Sequence, residues 1–180
     1  MKKAIKPTRW RCLCAYDGTE FNGWQKQPNR KAVQDKIDEA LAEIFGCTIR
    51  TIGAGRTDAG VHAAGQVFHF DASWNHPEDS LLQALRARLP VGISPRMVTA
   101  VSDRFHAHIS AQGKRYRYRI CPGWAMPEKD RFVHSMKGRS LNLDRMKEAA
   151  SCFLGTHDFA GFAANRGHGD KEPTVRKLWR

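Results

Sequence analysis

The most constraining feature of this sequence is a stripe of apolar residues between positions 31 and 45. They recur at intervals of three and four, the period of a helix that buries one face; the members are Val33, Ile37, Ala40, Leu41 and Ile44. Gly46 follows as the expected C-cap, because glycine readily adopts the left-handed conformation that ends many helices. A helix with one apolar face needs another layer to cover, so the fold must contain at least two packed layers.

Strand patterns supply that second layer. Residues 10–16 alternate, with Trp10, Cys12, Cys14 and Tyr16 on one face, and a turn at 17–19 ends the pattern. A second helix is expected to start near Pro77 and to end before Pro90, and a third covers residues 143–154, with Asn142 or Ser140 as its N-cap and Gly155 at its end. Further strand composition occurs at residues 47–52, 66–72, 97–102, 114–120 and 174–180.

This order of elements predicts an α+β fold. We expect an antiparallel or mixed β-sheet with helices packed on one face, not a doubly wound parallel sheet. We also expect two domains, an N-terminal α/β domain over residues 1–104 and the start of a C-terminal α/β domain over residues 105–180. The strand pattern at the end of the sequence leads to the expectation that this second domain is incomplete.

Charge points to a polyanionic partner. The 180 residues carry a net charge of +12, spread along the chain in short clusters, and such a balance favours nucleic acid over a membrane, since the predicted helices mix both signs on their polar faces. No run approaches the roughly 20 apolar residues of a membrane helix, and we expect a cytoplasmic protein. The five cysteines form no pairable framework and are interpreted as reduced apolar residues.

The segment that can carry chemistry is the glycine-containing stretch at residues 53–63. Its glycines allow a tight loop that holds Arg56, Asp58 and His62 close together at the end of a strand. From the residues alone, a structural turn in which Asp58 caps its own backbone explains the pattern equally well. The stretch lacks the Lys-Ser or Lys-Thr of a phosphate-binding P-loop.

The residues Arg-Thr-Asp-Ala-Gly-Val-His at 56–62 resemble the catalytic signature of the TruA family of pseudouridine synthases. Other blocks agree with that family in order and spacing; they lie at residues 16–19, 21–25, 33–34, 65–70, 105–107, 114–118, 155–159 and 174–176. The resemblance therefore extends from about Tyr16 to the end of the sequence. It implies the pseudouridine synthase fold, with two halves of the RRM or ferredoxin-like type.

The resemblance also implies an activity, the isomerisation of uridine to pseudouridine in the anticodon stem and loop of tRNA, without a metal or other cofactor. Asp58 would be the essential carboxylate, either as nucleophile at C1′ or as the base that removes the 2′ proton. Arg56 and His62 would contact the substrate, and Tyr116 would pack against the flipped uracil. The family works as a homodimer, so a dimer is expected of the complete protein.

Two departures from the family lead to an alternative. Family members continue beyond the Thr-Val-Arg block with a segment whose arginine pairs with the catalytic aspartate, and His108 stands where the family commonly has arginine. We therefore expect a shortened chain, and the alternative function is a catalytically impaired RNA-binding fragment. A metal-dependent nuclease is disfavoured, because it would need a cluster of carboxylates and Asp58 is alone in its loop.

Overall fold

The computed structural model describes residues 7–163 and 174–179, which form two compact units. The first unit extends to Arg117 and the second begins at Tyr118. The division into domains at residues 104 and 105 stays a prediction. Of the helices in the described ranges, none has the length and apolar character that crossing a bilayer requires.

The first unit has the element order β-α-β-β-α-β. Its elements are β1 (Thr8–Tyr16), α1 (Val33–Phe45), β2 (Ile52–Gly53), β3 (Ala63–Ala72), α2 (Glu78–Arg88) and β4 (Ile93–Val101). The four strands form one sheet in the order β2-β3-β1-β4, and every neighbouring pair is antiparallel. The element order is that of a ferredoxin-like unit, so the predicted α+β class and the antiparallel sheet are confirmed.

Both helices pack on one face of this sheet. The alternating residues of β1 and β3 form the floor of the core, and apolar side chains of α1 and α2 cover it; the fully buried members include Cys12, Cys14, Phe68, Phe70, Val33, Ile37, Leu41, Leu81 and Leu85. Gly46 ends α1 with φ of 66°. The apolar stripe and the alternation in β1 were therefore interpreted correctly.

The cysteines are all unpaired among the described residues, and two of them belong to the core. Burial raises the pKa of both core thiols, that of Cys14 to about 12. These two side chains are therefore protonated at neutral pH and act as small apolar residues. Cys47 and Cys152 are exposed instead, so the apolar interpretation does not hold for them.

The second unit contains shorter elements. These are β5 (Ile120–Cys121), α3 (Pro127–Asp130), β6 (His134–Ser135), α4 (Leu143–Ser151), β7 (Gly155–Asp158) and β8 (Val175–Leu178). The side chain of Asn142 accepts a hydrogen bond from the backbone N–H of Arg145 at 2.9 Å, which confirms it as the N-cap of α4. The predicted last strand is β8, and it pairs antiparallel with β7.

Two predicted strands are wrong in whole or in part. Residues 111–119 have no regular structure although arginine alternates with tyrosine there, and only Ile120 and Cys121 pair. Most of the strand predicted at residues 47–52 is also irregular, because Thr51 bonds to α1 instead of to a strand. Its backbone N–H and hydroxyl donate to Asp38 at 3.3 Å and 2.7 Å, and its carbonyl accepts from Gln34 at 2.8 Å.

A segment at residues 102–110, the crossing segment, lies on the face of the sheet opposite the helices. Arg9 holds it by donating to the carbonyls of Asp103 and Phe105 at 2.6 Å and 2.9 Å. The same guanidinium makes two hydrogen bonds to Asp71, at 2.7 Å and 2.6 Å. Further along, the backbone N–H of Ala107 donates to Nδ1 of the buried His69 at 3.1 Å. These bonds fix the path of the chain as far as residue 107.

The imidazole of His69 should make the stability of the first unit depend on pH. Burial, and then the charge of Arg9, lower the pKa of His69 below its ordinary value of 6.5. Between those two values the unfolded state binds more protons than the folded state, so the free energy of unfolding should fall as the pH drops from 6.5 through the folded-state pKa. Urea denaturation at a series of pH values measures this slope.

The matched variants for this test are His69→Gln and His76→Gln. Glutamine at position 69 can still accept from Ala107 but does not titrate, so the slope should become shallower. His76 is an exposed imidazole in the same unit and serves as the control. An unchanged slope in His69→Gln would contradict the prediction.

Candidate active site

The loop at residues 53–62, the site loop, connects β2 to β3 and is held at its start by β3. The backbone N–H of Ala54 donates to the carbonyl of Val67 at 2.7 Å, and the Gln66 side-chain amide donates to the carbonyl of Gly55 at 2.5 Å. On its other side, Nδ1 of His108 lies 3.0 Å from the carbonyl oxygen of Ala54. The end of the crossing segment is therefore in direct contact with the start of the site loop.

The centre of the site loop packs against residues 17–24, the facing loop. The N–H of Trp24 donates to the carbonyl of Thr57 at 3.0 Å, and the N–H of Gly60 donates to that of Phe21 at 3.2 Å. The Thr57 hydroxyl lies 2.9 Å from the hydroxyl of Tyr16, a core residue. Asp58 thus follows a residue that is fixed on both its backbone and its side chain.

Close approach of the two loops requires glycine at two positions. A Cβ on Gly18 would collide with the backbone of Val61, and one on Gly23 would collide with the carbonyl oxygen of Thr57. Gly23 also has φ of 80°, in the left-handed region that favours glycine. The glycines of the facing loop are therefore as necessary to the site as those of the site loop.

His62 connects the far end of the site loop to the facing loop. Its Nδ1 lies 3.1 Å from the backbone nitrogen of Gly18 and 3.0 Å from Oδ1 of Asp17. An unprotonated Nδ1 accepts from the Gly18 N–H, whereas a protonated one donates to the carboxylate. In both states the imidazole ties the two loops together.

An open cleft of about 320 Å³ lies between the site loop and residues 22–27, at the end of the facing loop. One wall is residues 56–59 of the site loop, and the other carries three side-chain amides, those of Asn22, Gln25 and Gln27. The Gln27 amide nitrogen donates to the backbone carbonyl of Asn22 at 3.0 Å, so its orientation is fixed with the oxygen left as an acceptor. The cleft can therefore offer amide donors and acceptors to a polar ligand that reaches the carboxylate of Asp58.

Asp58 itself is exposed at this cleft. Within residues 7–163 and 174–179 its carboxylate has no hydrogen-bond or ion-pair partner, and neither does the guanidinium of Arg56. A turn does form here, because the Val61 N–H donates to the backbone carbonyl of Asp58 at 3.2 Å. The predicted cap by the Asp58 side chain is wrong, since the carboxylate takes no part in that turn. The side chain remains available for chemistry.

The structure brings together two of the four residues that the sequence suggested. Asp58 and Arg56 line the cleft, whereas His62, at the far end of the site loop, contacts Gly18 and does not line it. Tyr116 does not line the cleft, and 74% of its surface is exposed in the irregular segment at residues 111–119. The substrate roles of Arg56, His62 and Tyr116 stay predictions.

Sequence reasoning missed two basic residues next to the site loop. They are His108, at the carbonyl of Ala54, and Lys114, whose side chain lies against Gly55. Nothing local in the sequence could have placed them there, because each is more than fifty residues along the chain from its contact. The amides of Gln25 and Gln27 were also missed, because they precede Asp58 by about thirty residues in the sequence and no local pattern places them opposite it.

Comparison with known proteins gives consistent matches. Residues 13–108 match the family model described as tRNA pseudouridine synthase. The tRNA pseudouridine synthase A of Akkermansia muciniphila is 44% identical over 163 residues, which are 89% of this chain and 62% of that protein. Those of Bacillus licheniformis and Brevibacillus brevis are 40% and 43% identical, over 94% of this chain and 70% of each relative. The chain thus spans 62–70% of the length of these relatives.

Paired glycine substitutions can test the fit between the two loops. Gly23 and Gly60 have nearly equal φ values of 80° and 78°, but a Cβ on Gly60 meets nothing within 4 Å. Gly60→Ala should therefore cost only the backbone strain of about 1–2 kcal/mol. Gly23→Ala adds a collision with Thr57, and such overpacking costs roughly a further 1–3 kcal/mol.

Urea denaturation followed by circular dichroism measures both free energies of unfolding. The larger loss is expected for Gly23→Ala. Equal losses in the two variants would mean that the loops are not in close contact at Gly23.

Proposed function

Because this chain belongs to the tRNA pseudouridine synthase family, we propose that it isomerises uridine to pseudouridine in the anticodon stem and loop of tRNA, with Asp58 as the essential carboxylate. The observation that carries this proposal is the position of Asp58 at an open cleft, on a loop whose backbone is fixed from two sides. A rigid loop and a carboxylate without a partner suit a reaction in which the carboxylate must meet a substrate atom.

The proposed reaction is balanced within the substrate. The C1′–N1 bond of uridine breaks, the uracil rotates, and a C1′–C5 bond forms; C5 loses its proton and N1 gains one. Asp58 acts in its ionised form, either as the nucleophile at C1′ or as the base at the 2′ position. No atom is gained or lost overall, so the reaction needs no oxidant, reductant or group donor.

The target nucleotide must leave the RNA stack before it can meet Asp58. Extrusion costs on the order of a few kcal/mol, and protein contacts must offset that cost. Arg56 at the cleft is proposed to contact the displaced nucleotide, and the amides of Gln25 and Gln27 are available to the polar edge of the base. Tyr116 is proposed to stack on the uracil, a contact worth roughly 1–3 kcal/mol. His62 is proposed to support binding through the loops that it connects.

The partner proposed for this basic chain is tRNA, and the proposed place of action is the cytoplasm. A net charge of +12 favours association with a polyanion. A homodimer is proposed for the full-length enzyme, as the family resemblance implies.

A second candidate function is RNA binding without turnover. It is favoured by the Asp58 carboxylate, which has no cationic partner within the described residues. A cation paired with the carboxylate would favour the ionised form that either route requires. Without one, the chain would keep its basic surface and its cleft but catalyse slowly.

Label release from tRNA can test the proposed reaction. Unmodified tRNA carrying tritium at uridine C5 should release label with the unaltered chain, because C5 loses its hydrogen. Asp58→Asn keeps the size of the side chain but removes the carboxylate, so release should fall by roughly a thousandfold or more while tRNA binding persists.

Asp79→Asn, an exposed position on α2, is the control for loss of a negative charge. Label release by Asp58→Asn at the unaltered rate would refute the proposed role of Asp58. Binding of tRNA by all three proteins, without release by any of them, would instead support the second candidate function.

Binding of tRNA should weaken steeply as salt is added. Each phosphate that the protein neutralises releases condensed counterions, so the logarithm of the association constant should fall linearly with the logarithm of the salt concentration. Titration of labelled tRNA from 50 to 200 mM salt measures the slope. A slope near zero would argue against phosphate contacts.

A further inference from the structure

The side chain of Lys114 occupies the space that a side chain at position 55 would fill. A Cβ built on Gly55 would collide with Nζ of Lys114 and would lie 2.8 Å from Cε and 3.6 Å from Cδ. The end of the lysine side chain thus rests directly on the backbone of the site loop. Gly55 is the residue that makes this position available.

Three basic side chains surround the first residues of the site loop. Lys114 lies on Gly55, His108 contacts the Ala54 carbonyl, and Arg56 follows in the chain. Within the described ranges, neither Lys114 nor Arg56 has an ion-pair partner. Two other lysines of the first unit differ in this respect, as Lys26 pairs with Asp38 at 3.7 Å and Lys36 with Glu39 at 2.8 Å. Positive charge is therefore concentrated, without neutralisation, three residues before Asp58.

We propose that Lys114, seated on Gly55, is a phosphate-binding residue that holds a backbone phosphodiester of the substrate RNA beside Asp58. This inference rests on the proposed function and identifies one contact of its substrate. Lysine suits this task because its ammonium is a compact charge with three donors and imposes no planar geometry on its partner. Contacts to phosphates fix the register of a nucleic acid on a protein without reading its sequence.

The position of Lys114 explains why such a contact would serve catalysis. Gly55 is anchored through its carbonyl to Gln66 of β3, and Thr57 is anchored to the facing loop. A phosphate bound at Lys114 would therefore be held in a fixed position relative to the rigid loop that carries Asp58. An anchored phosphate beside the extruded nucleotide limits where its ribose can lie relative to the carboxylate.

Four variants of the full chain test this contact, with unmodified tRNA as the ligand and 50 to 200 mM salt as the variable. Lys114→Met removes the charge, and the slope of log affinity against log salt should become shallower by about 1. Lys114→Arg keeps the charge and should keep the slope. Lys147→Met, a control in which the lost lysine already lies 3.6 Å from Asp144, removes the same charge and should leave the slope unchanged.

Gly55→Ala tests the contact between the Lys114 side chain and Gly55. Gly55 lies outside the left-handed region, so alanine brings the collision with Lys114 without backbone strain. The ammonium keeps its charge but must move, and the slope should change in the direction of Lys114→Met. The double variant Gly55→Ala/Lys114→Met should bind no more weakly than Lys114→Met alone, because the space at Gly55 affects binding only when the lysine is present.

The outcomes separate this inference from the proposed function. If Lys114→Met has the slope of Lys147→Met while the unaltered chain releases label from tRNA, the phosphate contact is refuted and the proposed function stands. A weaker affinity with an unchanged slope also refutes it, since Lys114 would then act only by supporting the loop. Failure of the unaltered chain to bind tRNA at 50 mM salt overturns both.

Discussion

The packing of the site loop on the facing loop is the constraint on which the rest of the site depends. Gly23 has no side chain to separate its backbone from the carbonyl of Thr57, and the Trp24 N–H donates to that same carbonyl. Trp24 is buried and its ring contacts those of Tyr16 and Phe68 in the core. The position of Asp58 is therefore set by the hydrophobic core through one buried tryptophan and one short stretch of backbone, even though Asp58 itself is exposed.

The opposite face of the sheet contributes to the same site through polar bonds. Arg9 and His69 hold the crossing segment on β1 and β3, and His108 at its end contacts the site loop. The pairing of Arg9 with Asp71 lowers the pKa of the Asp71 carboxyl, so this ion pair is charged at neutral pH. An apolar core on one face and a hydrogen-bonded segment on the other thus fix the loop from two independent directions.

Local patterns correctly predicted the elements that simply bury one face. They failed where a side chain distant in the sequence determines the backbone conformation. Alternation located β1 and the apolar stripe located α1, since each depends on one buried face. The strand predicted at 47–52 failed because Asp38 and Gln34 of α1 take the backbone groups of Thr51. Arg56 and Asp58 were singled out by the resemblance of residues 56–62 to a family signature, since the glycine pattern alone left a structural turn equally open. Lys114 was missed as a neighbour of Gly55 because no local pattern encodes a contact across 59 residues.

The two units differ in how many of their side chains are buried, and this difference explains why the candidate site lies in the first unit. Within the described ranges, the buried side chains all belong to the first unit, and the second presents apolar residues such as Leu143 and Phe162 with 62% and 76% of their surface exposed. Few buried contacts allow local opening at low free energy, whereas a dense core resists it. The role proposed for Asp58, in which its carboxylate reacts with one atom of the substrate, requires a loop that resists such opening. The loop of Asp58 meets this requirement, because every residue that anchors the loop belongs to the unit with the core.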